Sequence, residues 1–393
     1  MKKICIMLPT RLPVPTVLGG AVETLVQNII DQNELDHRYD LTVIAIFHEK
    51  AYEASKKYKH TRFLMFRLDS GIPAKIKRRG LKLIRGYAHS PEATAAAVML
   101  RDERDFDYVI VDGGDTNAVF QANRYYPKSR ILLHTHGTIR PGRRLDQAFN
   151  YLITVSNFTA GVWKEATGRP DSKIKVLKNC IDIKSFLRKI SDGEKRELRE
   201  SLGFSEHDFV IMFTGRIIRE KGVKELIQAI NLLEDRSIAL LIIGSSNFGT
   251  KTNTAYEQEI KSLIEESDKK IKFTGYIHNS ELYKYHQISD IAAAPSMCED
   301  AAPLVPIEAM ASGLPLIITR TGGMPEYAPE GTALIVEKDG SVVESLAREI
   351  ARLRNSRSLR AEMTEKERIL ASQCDVKHYF SDFCRIIEEI DME

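Results

Sequence analysis

Cysteine is scarce in this sequence: five residues in 393, Cys5, Cys180, Cys298, Cys374 and Cys384, with no C-x-x-C pair among them. An odd, scattered set offers neither a disulfide framework nor zinc-ligand spacing, so reduced thiols and a cytoplasmic setting are expected. Long apolar runs are also missing, and none approaches the ~18 residues of a membrane span. The run behind Lys2 and Lys3 ends at Pro9, too soon for a signal-peptide core, and reads as a first buried strand. Charge of one sign is lacking too; the formal net charge is +3, which gives no reason to expect nucleic acid as a partner. No G-x-G-x-x-G follows a strand, which disfavours a nicotinamide oxidoreductase. Asp105-Phe106-Asp107 precedes its strand, whereas a metal-dependent transferase wants Asp-x-Asp behind one. Asp112 and Asp115, separated by two glycines, read as loop residues. No repeat or low-complexity tract is present.

What remains is an ordinary soluble composition, 43% hydrophobic and 28% charged, in a chain too long for one core. Short apolar runs at 4–8, 41–47, 108–111, 130–133 and 151–155 read as strands. A second series follows at 209–213, 239–243, 271–273, 291–293 and 316–318. Most are continuously apolar, as strands buried on both faces of a parallel sheet must be. Amphipathic segments at 223–233, 255–266 and 341–353 have helical spacing. The fold class expected is α/β, with two open parallel-sheet domains. The polar stretch 184–203 puts the seam near residues 184–208. The expected domains are 1–186, 187–372 and a C-terminal helix within 373–393.

Three motifs can carry chemistry. The first follows a strand: Thr214-Gly215-Arg216-Ile217-Ile218-Arg219-Glu220-Lys221-Gly222. Ligands of open α/β sheets bind at carboxyl ends of strands. Gly215 admits close backbone approach, while Arg216 and Lys221 can pair with phosphate oxygens; a solvated basic turn is the plain alternative. The second runs from Cys298 to Pro315. Pro303 and Pro306 prevent one continuous helix, so Asp300 falls on a loop and Glu308 in the first turn of a helix ending at Gly313. Carboxylates accept hydrogen bonds from sugar and ribose hydroxyls, although Glu308 also suits a helix N-terminus and Asp300 a turn. The third, Thr321-Gly322-Gly323, has main-chain N–H groups that can wrap an anion, or is simply a turn.

Together these residues resemble glycosyltransferase family 4, the retaining glycosyltransferases of group 1. The resemblance implies a GT-B fold, two Rossmann-like domains facing a deep cleft, with the last helix crossing back to the first domain. It implies a retaining hexosyltransferase that takes sugar from a nucleotide diphosphate sugar, UDP being commonest among relatives. The acceptor would be a glycan, a lipid-linked sugar or a small molecule. By resemblance, Gly215, Arg216 and Lys221 hold the donor diphosphate, and Glu308 the ribose. Asp300, or Glu299 beside it, meets the donor sugar. Ala301, Ala302, Leu304 and Val305 wrap the diphosphate and sugar, and main chain near Ile277 meets the base. Gly19 and Gly20 match the glycine pair near the donor phosphates, and His136 the active-site histidine. With two fixed cations opposite the leaving group, no metal and no cofactor are expected.

Two rival readings are a GT-B nucleotide-sugar epimerase and a degenerate nucleotide-sugar-binding protein, toward which only Asp300, in place of the usual Glu, leans. Residues 75–85 mix lysines and arginines with apolar residues and fit peripheral association with an anionic membrane as well as a solvated face. Arg140, Arg143 and Arg144 suit an anionic acceptor or an exposed loop. Acceptor choice is expected to reside around residues 48–100.

Overall fold

The computed structural model of this chain describes residues 1–68, 90–103, 105–246 and 254–393. The basic segment 75–85 lies outside the described residues. Two compact units emerge: Met1–Asn179 with Val376–Glu393, and Cys180–Asp375.

Unit 1 carries a parallel sheet of seven described strands. They are β1 (Lys2–Met7), β2 (Tyr39–Ile46), β3 (Thr61–Phe66), β4 (Tyr108–Asp112), β5 (Ile131–Thr135), β6 (Tyr151–Thr154) and β7 (Ile174–Val176). Their order is β3-β2-β1-β4-β5-β6-β7. Ile4 of β1 is in register with Leu41 of β2 on one side and Tyr108 of β4 on the other. The chain thus winds one way from β1 and the other way from β4. The loops leaving these two strands diverge, and a crevice opens at their carboxyl ends.

Unit 2 repeats this logic with β8 (Phe209–Thr214), β9 (Ile238–Ile243), β10 (Lys270–Gly275), β11 (Ile291–Ala294), β12 (Leu316–Thr319) and β13 (Ala333–Val336). The order is β10-β9-β8-β11-β12-β13, so its switch lies between β8 and β11. Alternate residues feed two cores, as the two-residue strand period requires. Phe209, Ile211 and Phe213 pack with Leu226, Ile227, Leu346 and Ile350 on one face. Val210 and Met212 pack with Ile307, Met310 and Ala371 on the other. The helix Val223–Asn231 buries Val223, Leu226, Ile227 and Ile230, the stripe an amphipathic helix needs.

The expected strands are present, and β3, β7 and β13 join them. All three are edge strands; polar residues interrupt the apolar run in β3 and β7, whereas β13 is a four-residue apolar run too short to stand out. The division between units falls after Asn179, ahead of the seam expected at 184–208. The polar composition there belongs to the helix Asp192–Ser201, held by a Ser191/Glu194 capping box. Ile183, Phe186, Leu198 and Leu202 already pack on the second core. The C-terminal helix, Val376–Met392, belongs to unit 1 and buries Tyr379, Phe380, Phe383, Ile386, Ile387 and Ile390. Phe383 meets Tyr39 edge-on, with ring centroids 6.0 Å apart. Asp391 accepts from the Tyr108 hydroxyl at 2.7 Å and pairs with Lys2. Among the described residues no helix is long and apolar enough to cross a membrane.

One buried acid braces unit 2. Glu367, on the helix Arg357–Ser372, is fully buried and accepts the Leu316 N–H at 3.0 Å, while its second oxygen has no partner. Burial pushes its carboxyl up to about 9. The folded unit therefore holds a proton that the unfolded chain releases near pH 4.5, and the stability this gives is lost as pH climbs toward 9. Glu367→Gln should melt within ~1 °C of the parent at pH 5 and at least ~3 °C higher at pH 9, read by calorimetry. Equal melting at both pH values would show that Glu367 is ionised in the fold.

Candidate functional site

In unit 2, β8 delivers Thr214 to the sheet edge, and the chain turns at Gly215 to expose Arg216. A short 3-10 turn, Arg219–Lys221, follows and ends at Gly222 in the left-handed conformation, φ 73°. A Cβ on Gly222 would lie 1.9 Å from the Pro295 carbonyl oxygen, so no other residue fits where this turn crosses the end of β11. The Glu220 carbonyl accepts from the Met297 N–H at 2.8 Å and the Ser296 hydroxyl at 3.2 Å, stitching the cation turn to the acid loop. The stitch brings Lys221 against Asp300, and their side chains form a half-buried ion pair.

The adjacent Glu299 goes elsewhere. One oxygen accepts the Gly322 N–H at 2.7 Å and the other pairs with Lys338 at 2.8 Å. Lys338 and that N–H hold its carboxyl below the ordinary range. The Gly323 N–H donates to the Asp300 carbonyl at 2.7 Å. The glycine pair 322–323 therefore braces the acid loop, and its amides are not free to wrap an anion as expected from the sequence. Gly322 has φ 52°, and a Cβ there would come within 2.2 Å of the Asp300 carbonyl oxygen.

A pocket of about 130 Å³ opens beside the cation turn. Gly215, Arg216, Ile277, Val305 and Glu308 line it, with Tyr276 and Asn279 at the β10 side. Glu308 lies in the first turn of the helix Val305–Ser312, which has Pro306 in the same turn and ends at Gly313, as the sequence implied. Burial against the pocket wall pushes its carboxyl up to about 7. Ala301 is buried, while Ala302 and Leu304 pack on the second core and do not line the pocket.

In unit 1, Gly19 and Gly20, both at positive φ, lead into the helix Ala21–Asp36. Glu23 in its first turn is buried, and burial raises its carboxyl above the ordinary range. His136 follows β5 and meets Asp112 Oδ1 through Nε2 at 2.7 Å. His134, two residues earlier, meets Asp112 Oδ2 through Nδ1 at 2.9 Å. Asp112 is not a loop residue: it is the last residue of β4, buried, and in register with His134 across the sheet. A cross-strand pairing of this kind has no linear signature beyond an acid ending one apolar run and a histidine ending the next. Asp115 does lie in a loop, where it accepts the Ser90 and Asn117 N–H groups. Arg140, Arg143 and Arg144 are exposed behind β5, with Arg144 over the Phe120 ring.

Asp112, His134 and His136 are also the group whose ligating atoms converge within 4.8 Å among the described residues. Both carboxylate oxygens are engaged by ring nitrogens, so hydrogen bonding accounts for the arrangement.

Residues 194–369 match the family model described as glycosyl transferases group 1. The lipopolysaccharide 1,2-N-acetylglucosaminetransferase of Salmonella typhimurium is 25% identical over 57% of this chain, and the match spans 58% of that relative's length. Spore coat protein SA of Bacillus subtilis is 24% identical over 84% of each chain. The D-inositol 3-phosphate glycosyltransferase of Corynebacterium glutamicum is 33% identical over 50% of this chain and 46% of its own. Among solved structures, Anabaena HepE in complex with UDP and glucose superposes with a TM-score of 0.74, 19% identity and coverage of 99% and 100%. Sucrose-phosphate synthase from Thermosynechococcus elongatus gives a TM-score of 0.73 at 16% identity, covering both chains completely. The fold is thus the expected one, two Rossmann-like parallel-sheet units of the GT-B kind. The cation turn and the acid loop both lie within the span of unit 2 that matches the glycosyl transferases group 1 model.

Proposed function

We propose that this protein is a retaining glycosyltransferase that binds a nucleotide diphosphate sugar, UDP-linked, in the unit 2 pocket. The sugar passes to a glycan, lipid-linked or small-molecule acceptor. The observation that carries this reading is the pocket that joins Arg216 to Glu308 beside the Lys221–Asp300 pair. A nucleoside diphosphate has complementary parts in the same order: base, ribose diol, two phosphates.

In the reaction, the bond from the anomeric carbon to the β-phosphate oxygen breaks, and its electron pair stays on the leaving diphosphate. The acceptor oxygen forms the new bond, and its proton passes to the departing diphosphate. Arg216 and Lys221 stabilise the charge that builds on the leaving phosphate, more in the transition state than before it. Two cations suffice for this, so the mechanism we propose uses no metal. Unit 1 supplies His136 and the Gly19–Gly20 turn, and its arginines 140, 143 and 144 suit an acceptor that carries negative charge. Peripheral association with an anionic membrane would rest on residues 75–85.

Lys221 is never bare in this scheme. Without donor it pairs with Asp300; with donor it takes the diphosphate, and Asp300 turns to a sugar hydroxyl. The nucleoside diphosphate alone breaks the pair and gives Asp300 no replacement.

Three outcomes test the reading. Arg216→Ala and Lys221→Ala should each lower kcat by ~10²–10³-fold with circular dichroism unchanged, in an assay of nucleoside diphosphate release. Turnover near the parent's would refute the assignment. Asp300→Asn should bind UDP at least ~3-fold more tightly by calorimetry, because the competing anion is gone, while transfer falls ~10²-fold. Weaker UDP binding would show that Asp300 helps hold the nucleotide. Glu308 must be ionised to accept both ribose hydroxyls, and a carboxyl near 7 is about one-tenth ionised at pH 6 and nine-tenths at pH 8. Nucleotide-sugar affinity should therefore rise up to ~10-fold over that interval, since the donor's diphosphate does not titrate there. In Glu308→Gln the profile should be flat; an unchanged slope would place the titration elsewhere.

A further inference from the structure

The neighbouring strands β1, β4 and β5 of unit 1 end in three loops along one sheet edge: residues 8–20, 113–117 and 136–147. The loops lean on one another and on the elements behind them. The Pro9 carbonyl oxygen lies 2.4 Å from where a Cβ on Gly114 would be, and the Arg144 guanidinium sits over the Phe120 ring, 5.5 Å from its centroid. Together they carry four arginines, Arg11, Arg140, Arg143 and Arg144, against two acids, Asp115 and Asp146. Both acids are engaged. Asp115 accepts the Ser90 N–H at 2.8 Å and the Asn117 N–H at 3.0 Å. One oxygen of Asp146 accepts from Trp163 Nε1 and from Arg169 Nε, each at 2.7 Å.

The arginines are left over. Arg140 and Arg143 are exposed, and neither joins an ion pair among the described residues. Arg11 commits its Nε to Glu92 at 2.9 Å, yet its side chain stays 82% exposed. Exposed arginines are ordinarily just solvated, but the backbone beneath these is fixed. Asp146 ties the turn that bears Arg143 and Arg144 to Trp163, which is fully buried. Arg169, itself 6% exposed, donates to the Asp146 and Asn150 carbonyls, each at 2.6 Å, and lies over the Phe149 ring. Pro141 is buried, and Ile139 and Leu145 pack on the core of unit 1. A rigid, cation-rich rim thus stands at the edge where open parallel sheets take their ligands.

We propose that this rim is an acceptor subsite for a phosphoryl group, so that the acceptor is a phosphate-bearing sugar or alcohol. Arg140 and Arg143 hold the phosphate, with Arg11 and Arg144 flanking them. The proposal rests on the transfer reading above and narrows its acceptor to one chemical class. A guanidinium fork matches two oxygens of either a phosphate or a carboxylate. Charge decides between the two. A carboxylate brings one negative charge to several cations, whereas a phosphate monoester brings about two near pH 7.

The test uses the full chain with unit 2 filled by saturating UDP, titrated by calorimetry at low ionic strength. The probes are glucose 6-phosphate, glucuronate and glucose, and glycerol 3-phosphate with glycerol. Each phosphate ester should bind at least ~10-fold more tightly than its neutral partner, and glucose 6-phosphate at least ~3-fold more tightly than glucuronate. Arg140→Ala/Arg143→Ala should weaken phosphate-ester binding at least ~10-fold, and Arg140→Lys/Arg143→Lys should restore part of it, because charge returns without the fork. Lys57→Ala/Lys59→Ala removes the same charge from the turn ahead of β3 and should leave affinity within ~2-fold. UDP affinity and melting temperature should be unchanged in all of these variants. Should the parent fail to bind UDP, the donor site falls; the titration is then read in Arg216→Ala/Lys221→Ala, where the unit 2 cations no longer compete for phosphate. Phosphate esters that bind no better than their neutral partners, a preference for glucuronate, or undiminished affinity in the double alanine variant would overturn the proposal. So would loss of phosphatidylglycerol vesicle binding in that variant with phosphate-ester affinity intact, which would make the rim a lipid surface.

Discussion

An ammonium and a carboxylate that meet where the sheet of unit 2 changes direction organise the rest of that unit. Lys221 and Asp300 come from loops behind β8 and β11, the two strands between which the winding reverses. Each is supported separately. Glu220 ties the cation loop to the residues behind β11, and the amides of Gly322 and Gly323 hold the acid loop from its far side. Opposite charges this close would be poorly solvated if left single, and removal of either partner strands the other. The site is therefore organised around an anion it already contains, and in the donor binding proposed above a diphosphate would enter by exchange.

Unit 1 applies the same plan to a different chemistry. Its winding reverses between β1 and β4, and there the polar groups are a glycine turn, an acid and two histidines. One unit presents cations and the other two imidazoles held by a carboxylate. The difference comes from a few residues at strand ends, since the parallel sheets beneath them are alike in plan.

Much of this was legible in the linear sequence, for a definite reason. Central parallel strands such as Ile238–Ile243 are buried on both faces and leave an uninterrupted apolar run. The edge strand Thr61–Phe66 is partly exposed and does not. Gly215, Arg216, Lys221, Asp300 and Glu308 stand out because loops behind strands are where open sheets place ligands. The separation of Glu299 from Asp300 could not be read locally: it depends on Lys338 and Gly322, which are distant along the chain. The role of Asp112 was hidden likewise, since its partners are on a neighbouring strand. Glu367 looks like any helix-surface acid until the amide of Leu316 is found beside it.

The helix Val376–Met392 completes unit 1 from the far end of the chain. During synthesis, the residues of unit 2 emerge as one contiguous block before that helix exists. Unit 1 meanwhile waits with Tyr39 and the face that Phe380, Phe383 and Ile387 will cover still open to water. The order of assembly is thus written into connectivity: the second unit can close on itself first, and the first becomes whole only after Val376–Met392 has left the ribosome. A chain stopped before Val376 would spare the unit 2 pocket yet leave a wet apolar seam on unit 1, a surface that quality-control proteases and chaperones recognise.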